Sequence, residues 1–220
     1  MKQPDYVVGV TGASGSILGI RIIEALLDSG AAVAGIISDA GRKVAAHELP
    51  DARHDSSLNG ILRTRKRAHS LAAFREYADD DLFAPPASGS SGFRAVVIAP
   101  CSMKTLGCVA GGIAESLIGR AADVALKEGR KCVLVPRETP LGLIHLENLV
   151  RVKRAGADVV PPMLAFYNRP ASLDDAVDFV VGRVLDLLGV EHRLYRRWTE
   201  LAPAERPARR RRNTGKGKRT

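Results

Sequence analysis

The chain has 220 residues, 45% of them hydrophobic, so it can close one sizeable core, and we expect a single domain followed by a tail. It contains no run of about 18 apolar residues and no charged-then-apolar leader, so we expect a soluble cytoplasmic protein. Its three cysteines are an odd number without a CxxC pair, which argues against a disulfide framework and against a zinc site.

The net charge of +9 is concentrated at the C-terminus. Between positions 203 and 220, eight basic residues face one acid, which gives +7 there and leaves +2 for the rest of the chain. Such a like-charge block cannot bury apolar surface, so we predict a domain over 1–198 and a disordered basic tail over 199–220. The tail would bind nucleic acid weakly and without sequence preference, and a solubilising role is the favoured interpretation.

The first predicted elements are a strand, a loop and a helix. The strand is the apolar run Tyr6–Val10, the loop is the small-residue turn 11–16, and polar residues recur at helical spacing from there to Gly30. Glycines let the backbone approach a ligand, and the N–H groups that open a helix attract anions, so the loop is a candidate phosphate site. It matches neither the dinucleotide fingerprint nor the GxxxxGK[ST] loop, so a plain tight turn remains an alternative.

The rest of the chain continues the alternation. We predict strands at 32–37, 95–99, 132–135 and 159–160, and helices at 38–48, 106–113, 116–127, 145–155 and 172–188, with a weak helix at 71–77 inside an otherwise irregular stretch, 51–94. This order predicts an α/β fold, a Rossmann-like, doubly wound parallel sheet with helices on both faces. Ligands bind such sheets beyond the carboxyl ends of the strands, where the small or charged segments 11–16, 38, 100–105 and 136–138 fall.

These segments carry motifs of a known family. The motifs are TGASG at 11–15, APPASGSSG at 84–92, APCSMKTL at 99–106, GRAADVALKEGRK at 119–131, LVPRETPL at 134–141 and IHLENL at 144–149. Together with Ser38, Glu48, Tyr167 and Arg183, they make the sequence resemble the UbiX-type flavin prenyltransferases over about residues 6–198.

The resemblance implies an activity. Members of this family transfer a dimethylallyl group from dimethylallyl phosphate to reduced FMN, first at N5 and then at C6, and so close a fourth ring. The prenylated FMN serves a partner decarboxylase of the UbiD type. The resemblance also implies a homo-oligomer, a dodecamer built from trimers with sites shared between subunits, and no metal.

The resemblance also assigns residues. FMN would be bound by Gly12, Ala13, Ser14, Ser38, Ser102, Met103, Lys104, Thr105 and Arg137. Dimethylallyl phosphate would be bound by Tyr167 and Arg183, with Arg120, Lys127 and Arg137 completing the cationic set, because a departing phosphate dianion must be met by positive charge. Glu48 would accept the proton lost from flavin C6, and Glu138 would protonate the leaving phosphate or hold it through the neighbouring arginine.

Plainer roles remain open for several of these residues. Ser38 suits a helix N-cap, Arg120 an i,i+3 ion pair with Asp123, and Lys127 a helix C-terminus. Cys101 suits a small buried residue, since nothing beside it would produce a thiolate.

Two rival functions remain open, and the sequence departs from the family pattern at one position near the allyl group. An FMN-dependent decarboxylase of the peptidyl-cysteine type is disfavoured, because those enzymes carry asparagine where this chain has Lys104. A nucleic-acid-binding flavoprotein would rely on the basic tail. The departure is Leu82, where family members often carry tryptophan beside the allyl group, and Phe83 is a weak substitute.

Overall fold

The computed structural model describes residues 3–65 and 71–198. Its centre is a parallel sheet of six strands, with β1 at Tyr6–Val10, β2 at Val33–Ile37, β3 at Phe74–Tyr77, β4 at Ala95–Cys101, β5 at Lys131–Pro136 and β6 at Asp158–Val159. The strand order is β3-β2-β1-β4-β5-β6, so the chain reverses its direction of winding between β1 and β4. Ligands bind at this switch point in sheets of this kind.

Seven α-helices flank the sheet in the described residues. They are α1 at Ser16–Asp28, α2 at Asp39–Glu48, α3 at Leu58–Arg65, α4 at Met103–Gly111, α5 at Leu117–Lys127, α6 at Leu143–Arg154 and α7 at Leu173–Leu188. The side chains of Ser38, Ser102, Ser116 and Ser172 each accept a hydrogen bond from the first turn of the helix that follows, and so fix where α2, α4, α5 and α7 begin.

The helices cover both faces of the sheet and form two cores. Val8 and Val10 of β1 point to the face covered by α1 and α7, whereas Val7 points to the face covered by α5. Because side chains alternate along a strand, strands buried on both faces read as continuous apolar runs, as β4 does. Helices α5 and α7 therefore lie on opposite faces of the sheet.

The predicted fold class and the order of the main elements are confirmed. The weak helix predicted at 71–77 is wrong, because Phe74–Tyr77 pairs with β2 as the edge strand β3. The irregular stretch 51–94 also contains α3, which was not predicted. The basic tail predicted over 199–220 lies outside the described residues. Within the described ranges, no helix combines the length and the hydropathy that crossing a membrane requires.

Candidate functional site

The ends of β1 and β4 are joined by one buried threonine. Thr11 Oγ1 donates to the Pro100 carbonyl at 2.7 Å and accepts the Ser102 N–H at 2.8 Å. The Thr11 side chain thereby fixes the loop after β1 against the start of α4. Thr11 was not among the predicted site residues, although its position directly before the glycine loop was a signal for a role.

The ends of β2 and β5 meet the same edge of the sheet. The Ser38 N–H donates to the Val10 carbonyl at 3.0 Å, and the Arg137 N–H donates to the Cys101 carbonyl at 3.2 Å. The Arg137 side chain then crosses to the loop after β1, where its Nε donates to the Ser14 carbonyl at 3.1 Å. The four segments predicted to converge at the carboxyl edge of the sheet do so.

The loop after β1 offers unused backbone donors. Within the described residues, the N–H groups of Gly12, Ala13 and Ser14 donate no hydrogen bond. A Cβ at Gly12 would lie 2.5 Å from the Ala40 Cβ, so only glycine lets the loop pack this closely against α2. Three free N–H groups beside the Arg137 guanidinium form a donor set that fits the FMN phosphate.

The remaining donors of this loop bind a carboxylate of the protein itself. Glu48, at the end of α2, accepts the Gly15 N–H at 3.1 and 3.0 Å and the Ser16 N–H at 3.0 Å. Burial opposes its ionisation, but hydrogen bonds from Ser14, Ser16 and Gly15 outweigh burial and hold the pKa of Glu48 below its usual value. Glu48 is therefore ionised at neutral pH, as a proton acceptor must be.

The other side chains predicted to bind FMN lie at the N-termini of two helices, α2 and α4. The Ser38 hydroxyl accepts the Gly41 N–H at 3.1 Å, and the Ser102 hydroxyl accepts the Thr105 N–H at 3.2 Å while also bonding the Thr105 hydroxyl at 3.0 Å. A hydroxyl that caps a helix in this way can still donate its own proton to a ligand. Met103 and Lys104 form the first turn of α4, with Lys104 exposed.

Glu138 follows the end of β5, and Cys101 is the last residue of β4, at the same edge of the sheet. Glu138 is exposed, and its carboxylate accepts the N–H of its neighbour Thr139 at 2.9 Å. Cys101 is fully buried, and burial raises the pKa of its thiol well above the usual range, so it remains protonated. Among the described residues, no three side chains of His, Cys, Asp or Glu gather as metal ligands would.

Arg120 and Lys127 lie on α5, and Lys127 lies away from this edge. Arg120 bonds the Ala87 carbonyl at 3.1 Å and pairs with Asp123 at 2.7 Å, while Lys127 pairs with Glu128 at 2.7 Å. Lys127 precedes the start of β5, whereas Arg137 follows its end. A six-residue strand spans about 17 Å, so Lys127 lies near the amino end of β5 and Arg137 lies at its carboxyl end.

Tyr167 and Arg183 belong to the face of the sheet opposite α5. Arg183 lies on α7, and the Tyr167 ring packs edge-on against Phe179 of the same helix, with centroids 6.0 Å apart. A single chain thus brings together the two carboxylates, Glu48 and Glu138, and the residues predicted to bind FMN, including Arg137. The residues predicted to bind the phosphate of dimethylallyl phosphate are divided. Arg120 and Lys127 lie on α5, whereas Tyr167 and Arg183 lie on the face of the sheet that α7 covers.

Comparison with known proteins identifies the family. The Flavoprotein family model matches residues 1–185. The flavin prenyltransferase UbiX of Methanothermobacter thermautotrophicus is 46% identical over 198 residues, which cover 88% of this chain and 94% of that protein. The chain belongs to the UbiX flavin prenyltransferase family.

Solved structures of the UbiX family have the same fold. AnUbiX, determined in complex with FMN and dimethylallyl pyrophosphate, superposes with a TM-score of 0.78 at 38% identity and covers 88% of this chain and 96% of its own. The dodecameric FMN-dependent UbiX-like decarboxylase from Escherichia coli O157:H7 gives the same TM-score at 42% identity, with coverages of 88% and 98%. An FMN-dependent cysteine decarboxylase from thioviridamide biosynthesis reaches 0.52 at 17% identity, which shows a shared fold alone.

Proposed function

We propose that the chain is a flavin prenyltransferase that transfers a dimethylallyl group from dimethylallyl phosphate to N5 and C6 of reduced FMN, and that residues 1–198 are its catalytic unit. The observation that carries the proposal is the convergence of free backbone donors, the Arg137 guanidinium and two serine hydroxyls at the switch point of the sheet. The identity to UbiX enzymes over most of the chain supports it.

The chain's own residues would divide the work of binding. The N–H groups of Gly12, Ala13 and Ser14 would hold the FMN phosphate, and Ser38, Ser102 and Thr105 would orient the ribityl chain and the ring edge. Reduced FMN, when bound, supplies the nucleophilic N5 and C6 atoms. Arg137, fixed to the Ser14 carbonyl, would lie between the two phosphate groups and attract both.

The leaving phosphate would be stabilised by side chains from more than one subunit. Arg120 and Lys127 lie on α5, and Tyr167 and Arg183 on the opposite face, so one chain cannot bring all four to a single phosphate. We therefore propose a homo-oligomer with shared sites, a dodecamer built from trimers. Phe83 is fully exposed and therefore free to contact a neighbouring subunit.

Two carboxylates would handle the protons. Glu48 is ionised and held by Gly15 and Ser16, so it is ready to accept the proton that leaves C6. Glu138 is exposed next to Arg137 and would donate to the departing phosphate or hold it through that arginine. The prenylated FMN would pass to a decarboxylase of the UbiD type.

The decisive experiment is mass spectrometry of the flavin extracted after anaerobic incubation with FMN, dithionite and dimethylallyl phosphate. The expected product is heavier than FMN by one prenyl unit, and omission of dithionite is the control. Unchanged flavin would contradict the proposal. Oxidative decarboxylation of a C-terminal cysteine peptide in a parallel assay would favour the peptidyl-cysteine type instead.

A shortened chain that ends at Trp198 tests the role of the tail. Because every proposed site residue precedes that position, we expect this variant to retain wild-type prenyl transfer. Loss of activity together with loss of nucleic-acid binding would favour the rival in which the basic tail carries the function.

A further inference from the structure

Arg183 is held by a compact polar cluster at the end of α7. Its Nη1 donates to Asp186 Oδ2 at 2.9 Å and contacts the Tyr195 hydroxyl at 3.4 Å. The Tyr195 hydroxyl in turn donates to the same Asp186 oxygen. The three groups form a closed triangle, so the guanidinium is fixed at one end by two partners from different elements.

The other oxygen of Asp186 binds the segment that follows α7. Arg197 Nη2 and His192 Nε2 contact Asp186 Oδ1 at 3.0 and 3.1 Å. Burial opposes ionisation of Asp186, but hydrogen bonds from Tyr195, His192 and Arg197 hold its pKa below the usual value. The Asp186 carboxylate thus joins Arg183 and Tyr195 on one oxygen to His192 and Arg197 on the other.

Aromatic contacts extend this cluster to Tyr167. The Tyr195 ring packs against Phe179 with centroids 5.0 Å apart, and Phe179 packs against Tyr167 at 6.0 Å. Trp198 closes the other side of Tyr167 at 5.1 Å. A Cβ at Gly182 would lie 2.6 Å from the Tyr195 ring, so the segment 190–198 packs directly on the surface of α7.

We propose that the segment 190–198 is part of the substrate site, in which Tyr195 and Asp186 are positioning residues that hold Arg183 and Tyr167 in place for the phosphate of dimethylallyl phosphate. The inference rests on the proposed function, because the roles of Arg183 and Tyr167 come from it. Tyr195 and Asp186 act through these two residues and need not touch the substrate.

The geometry of the triangle leaves room for the ligand. Both contacts of Arg183 use Nη1, and in the part of the chain that the structure describes Nε and Nη2 make no hydrogen bond. A guanidinium anchored at one nitrogen and open at the other two retains a fork for a phosphate. An unanchored arginine that is half exposed would lose side-chain entropy on binding, which weakens affinity.

The test is calorimetric titration of dimethylallyl phosphate into protein loaded with oxidised FMN, because oxidised FMN lacks the nucleophilic N5 of the reduced form and turnover is therefore not expected. Tyr195→Phe removes the hydroxyl and keeps the ring, so we expect Kd to rise about tenfold, with FMN occupancy unchanged. In an Arg183→Ala background the same substitution should add nothing, because its effect passes through Arg183. Tyr77→Phe, on the outermost strand β3 and in the core on the other face of the sheet, is the matched control and should bind as wild type does.

Asp186→Asn provides a second variant of nearly unchanged shape. We expect it to weaken binding to a similar extent, whereas tighter binding would mean that Asp186 competes with the phosphate and would overturn the inference. An unchanged Kd in Tyr195→Phe, or equal effects with and without Arg183, would overturn it as well. If wild-type protein itself fails to bind dimethylallyl phosphate, the proposed function fails and takes this inference with it.

Discussion

Glu48 binds the backbone N–H of Gly15 through both of its carboxylate oxygens, at 3.1 and 3.0 Å. Gly15 adopts φ 102°, a left-handed conformation natural to glycine, and this turns its N–H toward the end of α2. The loop donors are therefore divided, since residues 15 and 16 bind the protein's own carboxylate while residues 12–14 remain for a ligand. The proposed proton acceptor and the proposed phosphate site share one loop.

Glu48→Gln should lower stability in a pH-dependent way. The native pKa of Glu48 lies below the usual 4.5, so its contribution is complete above that value and is lost as pH falls through the native pKa. We expect a loss of about 1 kcal/mol at neutral pH, at the low end for hydrogen bonds to a charged group because the side chain is partly exposed.

Urea denaturation of wild type and Glu48→Gln between about pH 3 and pH 8 checks this expectation. The difference in free energy of unfolding should stay constant from pH 8 to about pH 5.5 and shrink below about pH 4.5. Glu115→Gln, an exposed carboxylate on the loop before α5, is the control and should show no such difference. A difference that grows on acidification would contradict the assignment.

Gly12→Ala should abolish tight FMN binding. The added methyl group would meet the Ala40 Cβ at 2.5 Å, so the loop or the start of α2 must shift, at a cost of about 1–3 kcal/mol. Because the shift displaces the free N–H groups, we expect FMN affinity to fall at least about tenfold in a fluorescence titration.

Gly107→Ala is the matched control for Gly12→Ala. A Cβ at Gly107 would have its nearest neighbour at 3.6 Å, an ordinary contact, and alanine favours the helix α4 in which it lies. This variant should bind FMN as wild type does and be at least as stable. Equal FMN affinities for the two variants would refute the role given to the loop.

The sequence predicted the elements whose signals are local. Ala95–Ala99 is apolar throughout because β4 is buried on both faces, and Ser38 and Ser172 precede their helices because a cap acts within three residues. The stretch 71–77 was wrongly predicted as a helix, since the four residues of β3 become a strand only by pairing with β2. Edge strands of this length carry little information of their own.

The site could likewise be predicted only where it follows from local signals and from the order of the strands. The segments after β1, β2, β4 and β5 could be expected to meet, because parallel strands end at one edge. The contact between Glu48 and Gly15 spans 33 residues, and that between Thr11 and Ser102 spans 91, so no spacing rule contains them. Nor does the sequence alone say that α5 and α7 cover opposite faces.

Thr11→Val should disconnect the ends of β1 and β4. Valine has nearly the same shape but leaves the Ser102 N–H without its partner, and leaves the Pro100 carbonyl with the backbone N–H of residue 11 alone, at a site where Thr11 is only 2% exposed. We expect a loss of about 1–3 kcal/mol in unfolding free energy, measured by urea denaturation, and weaker FMN binding as the start of α4 moves. Thr64→Val, on the exposed side of α3, is the control, and a similar loss there would remove the special role of Thr11.

Lys127→Ala and Arg183→Ala should complement each other when they are co-expressed. Each variant alone is expected to lose most prenyl transfer, since each lacks part of the cationic set. If the two residues of one site come from different subunits, random mixing at equal amounts leaves about a quarter of the sites with both side chains intact. We therefore expect co-purified mixed oligomers to recover about a quarter of the wild-type rate.

The control is co-expression of Lys127→Ala with the double variant Lys127→Ala/Arg183→Ala, which supplies no intact Lys127 and should recover nothing. Mixed oligomers that remain as inactive as the parents would mean that one subunit supplies both residues, in conflict with their separation across the sheet.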